Sequence, residues 1–598
     1  LPSVWETLSV WWFVPSRKQT VIQQLMMRKA KRVHVARWGS GLIALMLIGF
    51  GVWAGLATLR ANNLKTQVKA TVDLLPNSRG LAIPLIFRDL ARFPQGYVTT
   101  QLNERYANAP AEGKQSLAYA LAEFGRADID YLCNCIEAAF ADEVDNLVHG
   151  LANSRVAALN QLRRLNDTAT AAENWRLKAR LAIIALKLGE ETFAAEMCQI
   201  ADRPDPIQRT IFINVLGEWH GELAPITHYF KGECGPALRS GLMLGIGTMA
   251  ASALPNAELA EITTDIKQLY VTASESIVHS AAGWILRQWK EVEPTLTGVD
   301  QPAVDRDWFV NQQQMTMVKI ESGHFVRQTL PYFVLQRITK SKNVVKRVET
   351  VSIKKSFYLS DREVTVGQFE AFRRDCMVAE QVEGNPFMSV AAKMMQDRSD
   401  FLIQKGLQDY NHLGEGHKLR GANIPVVNVS WEDSIVFCNW LSQHHGGKPC
   451  YSKIGDKEWE MDLSTDGYRL PTDAEWEYAC RAGTTTEYRF GSDSQHLKKY
   501  AVLQTDSPFP GGSARPNGWG LFDMNGNVWE WRHEIFGDTL VECAFAVFPA
   551  ESRIYGVFRG GSYNDSKSFC RSESTRKDRL DFRRDVLGFR VVFVSSSE

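Results

Sequence analysis

Neither sign of charge prevails in this sequence: 68 Lys and Arg are balanced by 68 Asp and Glu over 598 residues. The basic excess that marks a nucleic-acid binder is missing, and no nucleic-acid partner is expected. Cysteine is scarce, with 10 in the chain, which excludes a disulfide scaffold. Cys133 and Cys135 form a C-x-C pair with no second pair beside it, so buried thiols are expected there rather than a metal site. The apolar fraction of 45% excludes wholesale disorder, and the length calls for roughly two or three domains. The chain opens on Leu1 rather than Met, and Leu1-Pro2-Ser3-Val4-Trp5-Glu6 reads like the interior of something longer.

Charge-free runs of membrane length are absent but for one. Residues 38–59 are 22 residues without a charge, rich in Leu, Ile and Gly, and about 20 such residues span a bilayer as a helix. A cleaved signal peptide fits poorly, because the run starts well inside the chain and lacks a small-x-small cleavage site. A buried soluble helix is the alternative. The apolar stretch 241–254 is too short to span and is expected as a core helix. The twenty residues before the span carry six basic residues (Lys18, Arg28, Lys29, Lys31, Arg32, Arg37) and the twenty after it four (Arg60, Lys65, Lys69, Arg79). That asymmetry puts the juxtamembrane segment 1–37 in the cytoplasm and everything after residue 60 outside.

From residue 60 to 300 the pattern is helical. Ala82-Ile83-Pro84-Leu85-Ile86-Phe87 carries apolar residues on one face, and Ser116 to Phe124 ends at Gly125, a C-cap signal. Asp128 is placed to cap the next helix. Short Gly, Pro and Asp breaks recur without a strict period, so an irregular, HEAT-like array of helices is expected. No His, Cys or carboxylate constellation suggests chemistry here. Packing and protein contacts are the expected roles, and residues 294–302 read as a linker.

The richest signal lies near the C-terminus. Gly467-Tyr468-Arg469-Leu470-Pro471-Thr472-Asp473-Ala474-Glu475-Trp476-Glu477 is followed by Asn517-Gly518-Trp519-Gly520-Leu521-Phe522-Asp523-Met524-Asn525-Gly526-Asn527-Val528-Trp529-Glu530-Trp531. Arg559-Gly560-Gly561-Ser562-Tyr563 and Gly588-Phe589-Arg590-Val591-Val592 complete the order. Upstream, Phe357-Tyr358-Leu359-Ser360-Asp361-Arg362-Glu363-Val364-Thr365 and Ile424-Pro425-Val426-Val427-Asn428-Val429-Ser430-Trp431 mark a strand and two helix starts. Four ordered motifs of Gly, Trp and acid over roughly 120 residues are far more specific than any one of them. Together they resemble the formylglycine-generating enzyme, or sulfatase-modifying factor, family. The resemblance implies an α+β, C-type lectin-like domain with little regular structure over residues 308–598. The whole is then multi-domain: a transmembrane helix, an all-α irregular array over 60–300, and this domain.

Residues 523–530 alternate oxygen-bearing side chains with a flexible glycine, as a hard cation requires. The resemblance makes this a Ca²⁺ site, with Asp523 and Glu530 as side-chain ligands and Gly526 and Val528 contributing carbonyls. An Asn-Gly turn held by its own hydrogen bonds is the alternative. The family's second calcium site has an Asn where Val502 follows Tyr500-Ala501 here. The family's oxidase activity needs two cysteines after the Arg-Gly-Gly-Ser-Tyr motif, binding Cu(I). Counted without a gap, those positions are Asp565 and Cys570, and a carboxylate does not replace a thiolate on Cu(I). With a gap, Cys570 is a non-catalytic cysteine. Copper is therefore not expected. The iron-dependent sulfoxide synthases of this fold need an H-x3-H-x-E pattern, which His444 and His445 do not supply.

Between the last two motifs lies a basic and aromatic segment, 564–587, in the ligand-facing region of lectin-type folds. Candidate ligand-binding residues are Tyr563, Asp565, Lys567, Phe569, Arg571, Arg576, Arg579, Phe582 and Arg583. They suit an anionic or peptide ligand, and a solvated surface is the alternative. The same slot resembles the hypervariable stretch of diversity-generating-retroelement targets. The resulting expectation is a membrane-anchored ligand-recognition protein with a catalytically degenerate domain. An active formylglycine-generating or related oxidase is one alternative. The sensor half of a signalling protein, or a retroelement target, is the other.

Overall fold

The computed structural model describes residues 2–201, 203–329, 347–379, 393, 396, 421–454, 459–536 and 554–595. They pack as two units: Leu1–Cys135 with His149–Ser154, and Ile136–Val148 with Arg155–Glu598.

In the first unit, Ser3 and Glu6 form a capping box at the start of the helix Val4–Phe13. A second box, Thr20 with Gln23, starts a helix of 52 residues, Val21–Val72. It is the one described helix long and apolar enough to cross a membrane, and its apolar window is not buried within the protein. The expected span, 38–59, is thus the middle of a much longer rod of about 78 Å. The extension has a local cause. Residues 60–72 contain no Gly or Pro to break the helix. Val68 and Val72 at its end are buried where the rod meets the short helices Ala82–Leu90 and Gln95–Ala107, on which Ala111–Glu123 packs in turn. Gly125 (φ 85°) ends the last of these, with the Arg126 amide donating to the Leu121 carbonyl at 2.7 Å. Asp128 caps the following helix through the Tyr131 amide at 3.1 Å.

The second unit joins helices to sheets. The helices Arg155–Ala171, Trp175–Lys187, Ile207–Glu218 and Pro236–Ile246 pack each on the next, and Pro236–Ile246 then packs on Ser276–Gln288, which in turn packs on Asn256–Thr272. Of the apolar stretch 241–254, only residues 241–246 are helical, as the buried end of Pro236–Ile246; the chain then turns, and 251–253 form a separate short 3-10 turn. The expected linker at 294–302 does not hold these helices apart from the sheets. Thr210 Oγ1 donates to the Phe490 carbonyl at 2.8 Å. Asn214 Oδ1 accepts from Lys499 Nζ at 3.0 Å and Arg515 Nη1 at 2.8 Å. Arg287 Nε reaches the Gly512 carbonyl at 3.0 Å, and Ser276 Oγ the Trp519 carbonyl at 3.1 Å. Gly520 (φ 88°) shows why a glycine stands there: a Cβ would lie 2.9 Å from the Ser276 carbonyl oxygen. The helices from residue 155 onward and the sheets form one packed body.

The strands, in chain order, are β1 Trp308–Val310, β2 Thr316–Ile320, β3 Gly323–Thr329, β4 Arg347–Ile353, β5 Phe357–Ser360, β6 Tyr451–Lys453, β7 Trp459–Met461 and β8 Gly467–Arg469. They continue with β9 Trp529–Phe536, β10 Tyr555–Arg559, β11 Thr575–Arg579, β12 Leu587–Phe589 and β13 Val592–Val594. One sheet runs β1-β2-β5-β13-β8 and another β11-β10-β9-β12, with β3-β4 and β6-β7 as separate ribbons. Only β12 on β9 is parallel among these pairings. The sheets close around five fully buried tryptophans, Trp431, Trp440, Trp476, Trp529 and Trp531. These supply the core that such short strands cannot build alone.

Candidate functional site

The 523–530 segment carries two differently employed acids. Glu530, at the second position of β9, is fully buried. Its Oε2 accepts from Arg590 Nε and from Trp476 Nε1, both at 2.6 Å, and its Oε1 from Arg590 Nη2 at 2.7 Å. Both oxygens are thus taken by the arginine of the Gly-Phe-Arg motif, and the sequence-based assignment of Glu530 as a calcium ligand gives way to a buried ion pair. Asp523 (φ 55°) accepts from the Gly512 amide through Oδ2 at 2.6 Å, while its buried Oδ1 has no partner. Gly526 (φ 88°) passes so close to Val502 that a Cβ would lie 2.3 Å from its carbonyl oxygen. Its amide donates to the Gly560 carbonyl at 2.8 Å, and the Val528 carbonyl faces that same Gly560.

The acid that sequence reasoning missed is Glu363. It is 1% exposed, and neither of its oxygens has a hydrogen-bond partner. Burial, and then the charges of Asp523 and Glu530, push its carboxyl well above the ordinary range. Burial likewise raises Asp523. Asn525 adds a buried amide oxygen without a partner, its Nδ2 being given to the Cys570 carbonyl at 2.8 Å. Unpartnered buried oxygens are costly, and a set made only of carboxylate and amide oxygens fits a hard cation in donor type. Among the described residues, no three His, Cys, Asp or Glu side chains gather as a metal site; the two acids that act on each other here are Glu363 and Asp523.

At the two positions that a count without a gap sets against the family's copper cysteines, the side chains serve different surroundings. Asp565 Oδ2 accepts from Trp529 Nε1 at 2.7 Å, from the Ser562 amide at 3.1 Å and from Ser562 Oγ at 2.6 Å. Cys570 is fully buried in an apolar cluster with Tyr488, Phe490 and Tyr500. Burial pushes its thiol up to about 12, the opposite of what a metal-binding or nucleophilic cysteine needs.

Asp565 opens onto a cavity of about 360 Å³. The four-stranded sheet builds it: Trp529 comes from β9, Phe558 from β10, and Arg576 and Asp578 from β11, two residues apart on one face. Phe558 stands opposite Arg576 in the β10–β11 register, and Leu587 opposite Trp529 in β12–β9. Phe582, Arg584, Asp585 and Lys577 complete the charged and aromatic rim.

Of the predicted ligand residues, Asp565, Arg576 and Phe582 line this cavity. Phe569 lies against it through Arg576, whose guanidinium carbon sits 4.1 Å from its ring centroid. The others are engaged elsewhere. Tyr563 is buried, with its amide on the Asn527 carbonyl at 2.6 Å. Lys567 donates to Ser494 Oγ at 3.2 Å. Arg571 pairs with Glu487 at 3.1 Å and Arg579 with Asp581 at 2.6 Å. Arg583 makes a two-pronged pair with buried Asp433 at 2.9 Å on each arm, which braces the start of the helix Trp431–His444. The missed cavity residues, Lys577, Asp578, Arg584 and Asp585, lie within the same charged run; β-strand alternation from Arg576 is a signal for Asp578 alone.

Residues 307–594 match the family model described as "Sulfatase-modifying factor enzyme 1-like domain". This part of the chain is a sulfatase-modifying-factor-like domain. The chain is 28% identical over 273 residues to the formylglycine-generating enzyme of Mus musculus, a match covering 39% of this chain and 65% of that protein. It is 26% identical over 240 residues to the serine/threonine-protein kinase pkn1 of Chlamydia pneumoniae, covering 39% of this chain and 32% of the kinase. Among solved structures, Treponema denticola variable protein 1 matches with 22% identity and a TM-score of 0.33, over 47% of this chain and 95% of that one. The cavity and the Glu363–Asp523 acids both lie inside the sulfatase-modifying-factor-like domain.

Proposed function

We propose that this chain is a membrane-anchored ligand-recognition protein whose sulfatase-modifying-factor-like domain binds rather than oxidises. The observation that carries the reading is the pair Asp565 and Cys570. One is a carboxylate pinned by Trp529 and Ser562, the other a thiol sealed in an apolar cluster. Two-coordinate Cu(I) needs two converging thiolates. X-ray absorption on the chain reconstituted with one equivalent of Cu(I) therefore lacks a two-sulfur copper signal assignable to this site. A linear two-sulfur signal that disappears in Cys570→Ser would restore the oxidase reading.

Binding is assigned to the cavity under β9–β11. Its rim carries Arg576, Lys577 and Arg584 against Asp565, Asp578 and Asp585, a balance that favours a ligand of little net charge over the anion expected from the whole segment. Ca²⁺ belongs to the same reading, held by the carboxylates of Glu363 and Asp523, where it would neutralise two buried acids and stiffen the loop before Trp529. The anchor is the apolar part of the helix Val21–Val72, with residues 1–37 cytoplasmic and the later units outside. The likeness to a chlamydial kinase favours one second reading, in which this ligand domain is the sensing part of a signalling protein.

A further inference from the structure

Resting on the cavity as a ligand site, we propose that its occupant is a small zwitterion: an amino-carboxylic acid with an apolar body, its ammonium on Asp565 and its carboxylate on Arg576. Trp529 organises both arms. Its Nε1 donates to Asp565 Oδ2 at 2.7 Å, and Ser562 gives that same oxygen two further bonds, 3.1 Å from the amide and 2.6 Å from Oγ. Three donors on one oxygen fix the carboxylate's orientation. Among the described residues Oδ1 receives no hydrogen bond and Asp565 makes no ion pair, so a directed negative pole faces the cavity.

Arg576 supplies the opposite pole. Its guanidinium carbon lies 5.1 Å from the Trp529 ring centroid and 4.1 Å from that of Phe569. Stacking between two rings uses the flat faces of a guanidinium and leaves its N–H edge for a carboxylate. Among the described residues Arg576 makes no ion pair, with Asp565 or any other acid. Two opposite charges thus share one indole as neighbour without neutralising each other. A simple anion would satisfy Arg576 and be repelled by Asp565, and a simple cation the reverse. A zwitterion satisfies both, and like-charge juxtaposition rejects the singly charged competitors. Trp529, Phe558 and Phe582 offer its body an apolar wall, and 360 Å³ is within the range of small-molecule pockets.

The test uses calorimetric titration of the full chain in detergent at neutral pH with three probes: L-phenylalanine, N-acetyl-L-phenylalanine and L-phenylalaninamide. The free amino acid is expected to bind, and blocking either charge to weaken binding by about tenfold or more. Asp565→Asn should bring the free amino acid down to the acetylated form, and Arg576→Gln should bring it down to the amide, each variant being checked for an unchanged near-UV spectrum. A blocked form that binds as well as the free amino acid, yet is weakened by Arg576→Gln, overturns the zwitterion and leaves the cavity a ligand site of another charge class. Binding by none of the three overturns both the proposal and the reading beneath it. The three-probe comparison needs only the unmodified chain, so it decides even where a variant fails to fold.

Discussion

Glu530 and Glu363 are both buried acids near Arg590, and only Glu530 is hydrogen-bonded to it. Glu530 has Arg590 on both oxygens, and removing one partner of such a buried pair costs roughly 3–5 kcal/mol. Glu363 has no side-chain donor on either oxygen. The two calcium assignments therefore separate by experiment. With calcium at a hundredfold excess over its dissociation constant, the domain should gain about 2.7 kcal/mol by linkage, or roughly 2–4 °C of melting temperature per kcal/mol. Glu363→Gln or Asp523→Ala should abolish that gain. Glu530→Gln should lower the melting temperature yet keep the calcium response. An identical melting temperature with calcium and with chelator would remove calcium from the account. The oxygen-rich loop was legible in the sequence because its residues are contiguous. Glu363 was not, because its neighbour Asp523 lies far along the chain and Glu-Val-Thr reads as an ordinary strand end.

The elements repeat this pattern. The charge-free run 38–59 was plain, but the helix that contains it starts at Val21 and ends at Val72, since nothing in its flanks breaks a helix. Its orientation rests on the six-to-four balance of basic residues around the run. A cysteine introduced at exposed Gln301 should react with a membrane-impermeant maleimide on intact cells, above the background of native cysteines, which are buried or half-buried where described. Reaction only after lysis would reverse the topology. In the same way, the basic run 564–587 was visible as charge, while the partners that neutralise parts of it were not. Glu487 and Asp433, which hold Arg571 and Arg583, belong to elements far upstream. Only the strand β11, by aiming alternate side chains to one face, selects Arg576 and Asp578 for the cavity.

Over the whole molecule, the helices after residue 155 do not hang from a linker. They clasp the loops of the sulfatase-modifying-factor-like domain through carbonyls at Phe490, Gly512, Ser513 and Trp519. Backbone carbonyls are present at every residue, so no motif announces this docking; the sequence shows only the Pro-rich break that lies beside it. The docked loops belong to the 484–520 region, whereas the cavity is framed by β9–β11 and residues 562–587, so the helices brace the domain without lining that cavity. The central claim is that this braced scaffold binds without oxidising. Its most direct test is mass spectrometry of a cysteine-containing sulfatase-motif peptide incubated with the full chain, Cu(I) and oxygen, beside an active formylglycine-generating enzyme as control. The account predicts that the control converts the cysteine and that this chain leaves it intact. Formylglycine produced by the unmodified chain, and lost in Cys570→Ser, would contradict it.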